Sequence, residues 1–470
     1  MSTKKNSSKP NIVKTFHIKT FGCQMNENDS EKISGMLKAL GYQEETDVNK
    51  AGLVILNTCS IRENADERVL GNIGAFKTVK KTNPDLILAV CGCMMQQPEI
   101  VNQIVTKYPQ VDLIFGTHNL HQVPELLNNY QVNGNRLIEV WEDSDTIVED
   151  LPVDRKYPFK GFVTIMNGCN NFCTYCIVPY TRGREVSRQP DKIFDEVNKL
   201  VDDGCIEITL LGQNVNSYGN DLGDAVNFAK LLRELNTIDK LKRIRFMTSH
   251  PKDLTDDVID AIAECDKVCN YIHLPIQSGS TRILKAMNRK YTQENILDRV
   301  NKIREKIPGV AITTDIIVGF PGETEADFLE TLKVIKRCQF DSAFTFLYSI
   351  RTGTPAATMA DQIPDEVKHD RINRSLKVLH QISHDINQTY QDQIVEVLVE
   401  ETSRNNAKRM TGRTRTGKLV NFPGNESDIG TEIMVKITEA KTFSLDGEKI
   451  GQEGIHGATH TDDDAISANS

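Results

Sequence analysis

The chain of 470 residues has a single Trp, Trp141, and only 6% aromatic residues. Long apolar runs are missing: the longest, LILAVCGCMM at 86–95, is half of what a membrane span requires. No apolar stretch follows the lysines of MSTKKNSSKP, so the opening residues do not read as a secretory signal. Excess basic charge is missing too, since 56 Lys and Arg face 65 Asp and Glu for a net of −9. That excludes a chain basic throughout but leaves room for a local basic face. These absences describe an expected soluble, cytoplasmic chain with no membrane association and reduced thiols. Against them stand 11 cysteines, an odd number that argues against a secreted disulfide scaffold.

The expected fold class is α/β in three parts. Residues 1–13 are polar and expected to be disordered. Residues 14–131 alternate strands and helices (Thr15–Thr20, a helix capped at Asn28–Ser30, Leu53–Leu56, a helix from about Glu63, Leu86–Val90, Pro98–Val105, Val111–Phe115), which predicts an open parallel sheet covered on both faces. Residues 132–154 carry Gly134, Pro152 and the acids Asp143, Asp145, Glu149 and Asp150, and read as a solvated linker. Residues 155–385 hold six further strand patterns, from Phe162–Met166 to Ala343–Tyr348, which suit a partial (β/α)6 parallel barrel. Residues 388–452 alternate strongly around Gly412, Gly417 and Pro423-Gly424 and read as a small all-β barrel; residues 453–470 form a polar tail expected to be disordered.

The compact motif GCNNFCTYC places Cys169, Cys173 and Cys176 on one loop beyond the first barrel strand. Three thiolates hold three irons of a cubane cluster and leave the fourth open to a small molecule. A closed structural zinc site needs a fourth ligand, and no His or Cys adjoins the trio. Cys23 in TFGCQMN, Cys59 in NTCSIREN and Cys93 in CGCM each follow a successive predicted strand. Parallel sheets gather ligands at their carboxyl ends, so these three thiols are expected to converge. They would hold a second open cluster, with a catalytic redox trio as the alternative. Cys91 reads as core-facing, and Cys205, Cys265, Cys269 and Cys338 as small buried hydrophobes.

Together, TFGCQMN, NTCSIRENA, CGCM and GCNNFCTYCIVPYTRGREVSR resemble the methylthiotransferases of the radical S-adenosylmethionine (SAM) superfamily, over about residues 14–452. The SIREN segment and the run after Cys169 look most like the tRNA branch acting on isopentenylated adenosine. The resemblance implies an N-terminal cluster domain, a radical SAM core and a C-terminal TRAM domain. It implies two [4Fe-4S] clusters, the Cys169/Cys173/Cys176 one binding SAM and the Cys23/Cys59/Cys93 one delivering sulfur. It further implies two SAM per product, an electron donor, a sulfur source and a monomer. Expected SAM contacts are Tyr175, in the aromatic slot before the last cluster cysteine, and the strand-end groups Gln213, Ser249, Gln277 and Asp315. Arg182 and Arg184 in YTRGR are candidates for RNA phosphate or the SAM carboxylate.

Residues 401–420 set Arg404, Lys408, Arg409, Arg413, Arg415 and Lys418 against one acid, Glu401. Basic small barrels read nucleic acid, and the TRAM resemblance makes these six the expected RNA contacts. The rival reactions are the same methylthiolation on threonylcarbamoyladenosine in tRNA or on a ribosomal protein aspartate. From other classes, the alternatives are a two-cluster electron-transfer protein and an RNA-binding module with structural zinc.

Overall fold

A computed structural model of the chain describes residues 14–60, 65–142, 147–404 and 406–450. The expectations for 1–13 and 453–470, for Ile61–Asn64 of the SIREN segment, and for Asp143 and Asp145 lie outside the described residues.

Six parallel strands form the first sheet: β1 (Thr15–Thr20), β2 (Gln43–Glu44), β3 (Leu53–Thr58), β4 (Ile87–Gly92), β5 (Leu113–Phe115) and β6 (Leu137–Glu139), in the order β2-β1-β3-β4-β5-β6. Alternate residues of β3 enter different cores. Leu53 and Ile55 join Phe16, Ile33 and Leu37, while Val54 and Leu56 join Val69, Ile73 and Ile104. A strand buried on both faces needs this unbroken apolar run.

Two expectations change here. The helix after β1 runs Gln24–Ala39, beginning directly after Cys23 with no side-chain cap, and is not capped at Asn28–Ser30. Asn28 and Asp29 are turned instead toward the middle domain, where Asn28 Nδ2 donates to Thr164 Oγ1 at 2.8 Å. The stretch expected as solvated linker supplies β6 and then docks on its neighbours. Glu149 pairs with Arg188, and Asp154 pairs with Lys38 at 2.6 Å.

The middle domain holds β7 (Lys160–Thr164), the antiparallel pair β8 (Met166–Asn167) and β9 (Val186–Ser187), and then β10 (Glu207–Leu211), β11 (Arg243–Phe246), β12 (Tyr271–His273), β13 (Ala311–Val318) and β14 (Ser342–Leu347). Parallel sheets β7-β10-β11 and β12-β13-β14 meet at the bridge between Ile244 and Val268, giving a half-barrel in chain order. Its helices pack outside against Ile208, Leu210, Ile244, Ile272, Ile312 and Ile316. Residues between these on β12 and β13, such as His273, Thr313 and Asp315, face inward.

The helix Asp365–Gln388 crosses to β15 (Ile394–Thr402), β16 (Arg409–Arg413), β17 (Leu419–Pro423), β18 (Glu432–Ala440) and β19 (Leu445–Lys449), a closed barrel in the order β15-β16-β17-β19-β18. This barrel sits at the amino ends of the half-barrel strands. Arg243, whose side chain is 0% exposed, reaches Glu396 and Glu432, each at 2.8 Å. Arg245 donates to Glu207 at 2.9 Å and to the Thr414 carbonyl at 2.8 Å. A buried charge is tolerable only when paired in this way.

Burial alone would raise the Glu207 carboxyl, but the charges of Arg245, Lys160 and Arg243 outweigh it and hold it at about 2, against an ordinary 4.5. A depressed carboxylate contributes stability that is complete above its unfolded value and is lost as pH falls through its folded one. Thermal stability should therefore drop between about pH 4.5 and pH 2, with Glu207 contributing on the order of 3 kcal/mol. In Glu207→Gln the fall over that window should be shallower, as read by unfolding midpoints across pH; an unchanged slope would exclude Glu207 as the source.

Candidate functional site: two facing thiol clusters

Cys23, Cys59 and Cys93 leave β1, β3 and β4 at the same edge of the first sheet. Gly22 has φ +130, and a Cβ there would stand 2.6 Å from Asn26 Oδ1 and 2.8 Å from Cys59 Cβ. That closeness brings the Cys23 turn against Cys59. Asn26 fastens the arrangement, its Nδ2 donating to Asn57 Oδ1 at 3.1 Å and to the Thr58 carbonyl at 3.0 Å. Burial pushes the Cys93 thiol up to about 12; Arg182 opposes the shift, while Cys59 and Cys23 add to it. The three thiols are thus electrostatic neighbours. Cys91 lies in the core, as expected.

The second trio lies on the loop between β8 and β9. Gly168, at φ +77, lets the loop pass against the Arg184 carbonyl. The Arg184 guanidinium stacks on Phe172, 4.3 Å from the ring centre, and so packs on the loop. Desolvation raises Cys169 to about 11 and Cys176 to about 12, the latter also through Cys173. Arg289, which the sequence reading missed, is buried beneath the loop. It donates to Cys173 Sγ at 3.3 Å, Tyr175 Oη at 3.4 Å, Tyr291 Oη at 2.7 Å and the Pro275 carbonyl at 2.6 Å. Its neighbour Asn288 donates to the Phe172 carbonyl at 2.9 Å. Nothing in the NRK run marks this role, because it arises from folding the segment after β12 back under the loop.

Among the described residues no three His, Cys, Asp or Glu side chains are disposed around a single metal ion. The donor sets suit a larger group: each is three buried or partly buried thiols, with one buried guanidinium donating to a sulfur. Soft sulfur donors and hydrogen bonds to them are what iron–sulfur clusters require.

Of the expected SAM contacts, Gln213 and Ser249 follow β10 and β11, and both Gln213 Oε1 and Ser249 Oγ are buried without a partner. Asn167 Oδ1, Asn216 Nδ2 and His250 Nε2 share that condition at the same strand ends. Desolvation, with Arg289 and Lys252, holds His250 neutral, its pKa at about 2. Buried unpaired polar atoms are costly, so their concentration fits a polar ligand. Gln277 holds φ +68 and bonds through its backbone to Asp315 and Ile317. The Asp315 carboxylate faces His273 Nε2 at 3.4 Å. Tyr175, partly buried, packs against the Ile283, Met287 and Phe320 cluster, and its hydroxyl meets Arg289 at 3.4 Å.

The six basic residues also divide. Arg404 is 85% exposed on its side chain, and Lys408 is exposed. Arg413 is half exposed. Arg409 donates to the Asn421 carbonyl at 2.9 Å and pairs with Asp446. Arg415 donates to the Asp266 and Val268 carbonyls of the middle domain, and Lys418, 10% exposed, pairs with Asp341 at 2.7 Å. The expectation of RNA contact is therefore corrected for Arg415 and Lys418, which hold the two barrels together. An aromatic unmarked in the sequence does stand open: Phe344 on β14 is 56% exposed. It sits in register with Asp315, and its ring meets His273 edge-on at 6.1 Å, inside the half-barrel.

The chain matches the model of the Radical SAM superfamily over residues 163–335, Uncharacterized protein family UPF0004 over 15–116 and the TRAM domain over 388–450. A solved structure of the radical SAM methyltransferase TsrM from Kitasatospora setae, with cobalamin and a [4Fe-4S] cluster bound, is similar at TM-score 0.52 and 15% identity, covering 74% of this chain and 77% of that one. At that identity the likeness shows the fold alone. The tRNA-2-methylthio-N(6)-dimethylallyladenosine synthase of Clostridium tetani is 60% identical, covering 93% of this chain and 96% of that relative. The synthase of the same name from Alkaliphilus oremlandii is 59% identical, covering 93% of each. With that identity spanning all three domains, the chain belongs to the tRNA-2-methylthio-N(6)-dimethylallyladenosine synthase family.

Proposed function

We propose that the protein adds a methylthio group to carbon 2 of N6-isopentenyladenosine beside the anticodon of tRNA, using two [4Fe-4S] clusters and two SAM molecules. One observation carries the reading: two separate all-thiol trios lie at strand ends and are joined by one short segment. Cys169 donates its N–H to the Gly183 carbonyl at 3.2 Å, and Arg182, one residue earlier, donates Nε–H to Cys93 Sγ at 3.1 Å. Bond breaking at an unactivated C–H and delivery of sulfur need two centres within reach of one substrate atom.

Cys169, Cys173 and Cys176 would hold a cluster whose chemistry is one-electron cleavage of SAM, and Cys23, Cys59 and Cys93 would hold one that carries sulfur. The chain's residues do the rest. Gln213, Ser249 and His250 offer unpaired polar atoms to SAM. The packed strand ends exclude water from a reactive site. Phe344 offers an open ring on which an extruded adenine stacks, with His273 and Asp315 beside it for its edge. Arg404 and Lys408 remain to meet phosphate, while Arg413, half exposed, is paired with Glu400 at 3.5 Å. Electrons come from an external donor, and the protein works as a cytoplasmic monomer. The described residues contain no helix able to cross a membrane.

Mass spectrometry of tRNA from a strain lacking the protein tests the reading. The 2-methylthio form should vanish while N6-isopentenyladenosine accumulates, and unchanged tRNA would refute it. Anaerobically reconstituted protein should carry roughly eight irons per chain, and Cys23→Ala/Cys59→Ala/Cys93→Ala about four. Gly22→Ala, whose added methyl meets Asn26 and Cys59, should lose the same four while keeping SAM binding. Phe344→Ala should weaken binding of an isopentenylated anticodon stem-loop by roughly tenfold, with Phe344→Tyr near parent, since stacking one base is worth about 1–3 kcal/mol. Equal affinity in Phe344→Ala would remove the ring from the site.

A further inference from the structure

Arg182 is a buried guanidinium shared between the two centres. Its backbone N–H caps the short helix Val178–Thr181 by donating to the Val178 carbonyl at 2.8 Å, which fixes its start. Thr117 Oγ1 of the first domain donates to the Thr181 carbonyl at 3.2 Å and clamps the same turn. From there the side chain leaves the middle domain and enters the first one. Nε donates to Cys93 Sγ at 3.1 Å, and Nη2 donates to Asp29 Oδ2 at 2.8 Å. The next residue, Gly183, holds φ +76 and accepts the Cys169 N–H. One dipeptide therefore holds a sulfur of the first trio through its side chain and the backbone of the second trio through its carbonyl.

A hydrogen bond or positive charge at a cluster sulfur favours the more negative, reduced state of that cluster. A carboxylate on the far side of the guanidinium offsets part of this charge. We infer that Arg182 is a positioning residue that holds Cys93 and raises the reduction potential of the iron centre there, and that Asp29 sets how much of its charge that centre feels. The inference rests on the two-cluster reading above. It assigns opposite signs to the two partners: loss of the guanidinium lowers the potential, and loss of the carboxylate charge raises it. A side chain that served only to pack the domains together would show no such pair of signs.

The test uses the full chain carrying Cys169→Ala/Cys173→Ala/Cys176→Ala, so that the remaining signal belongs to the first centre. The protein is reconstituted anaerobically and titrated electrochemically with detection by electron paramagnetic resonance. Arg182→Gln should shift the midpoint to more negative potential, Arg182→Lys should shift it less, and Asp29→Asn should shift it to more positive potential. Asn retains an acceptor for Nη2, so the last variant removes charge while keeping the contact. If Arg182→Gln does not load iron, Asp29→Asn still reports the sign, and the absence of a positive shift overturns the inference. A loaded first centre whose midpoint is the same in parent, Arg182→Gln and Asp29→Asn overturns the inference and leaves the two-cluster reading standing. A background protein with no iron at all overturns both.

Discussion

Parallel strands all end on the same side, and this chain places its chemistry according to that constraint. A thiol that follows β1 lies near one that follows β3 or β4 whatever the sequence between them. The same holds for the half-barrel, where the cysteine loop and the unpaired groups of Gln213, Ser249 and His250 follow β7, β10 and β11. Setting the two carboxyl edges against each other requires no fine adjustment of long loops. It requires that the helix after Cys23 present Asn28 and Asp29 outward, and that Arg182 cross the gap.

Charge organises the opposite end. Arg243, Arg245 and Glu207 are largely buried at the amino edge of the half-barrel, and each finds a partner in or beside the small barrel. Desolvation consumes much of the attraction in such pairs, but breaking one strands a buried charge, so they penalise every other docking angle. The molecule thus has soft sulfur chemistry at one edge and hard ionic pairing at the other.

The parallel α/β character of the first two parts and the all-β barrel at the end were legible because they follow from apolar periodicity. The start of the helix at Gln24 was not, since Asn28 and Asp29 look like a cap but serve the neighbouring domain. Residues 137–139 read as part of an acidic connector because a three-residue edge strand has too few positions to show alternation. Arg289 was hidden for a different reason, and Arg182 was noticed but given RNA phosphate or the SAM carboxylate where the structure gives it Cys93 and Asp29. A buried guanidinium and a solvated one share the same letter, and only long-range folding decides which thiol it meets. The basic cluster misled in the same way at Arg415 and Lys418, where local charge density said nothing about Asp341 or the Asp266 carbonyl on another domain.

Those last two contacts have a mechanical result. A terminal barrel bolted down through Lys418, Arg415 and Arg243 cannot swing on the helix Asp365–Gln388 as a tethered arm would. The span from Arg404 to Phe344 is then a length built into the scaffold. Under the proposed function, an RNA held by its backbone near Arg404 would present to the interior only the nucleotide that this span reaches, so the docked domain would act as a gauge of position before any base is read.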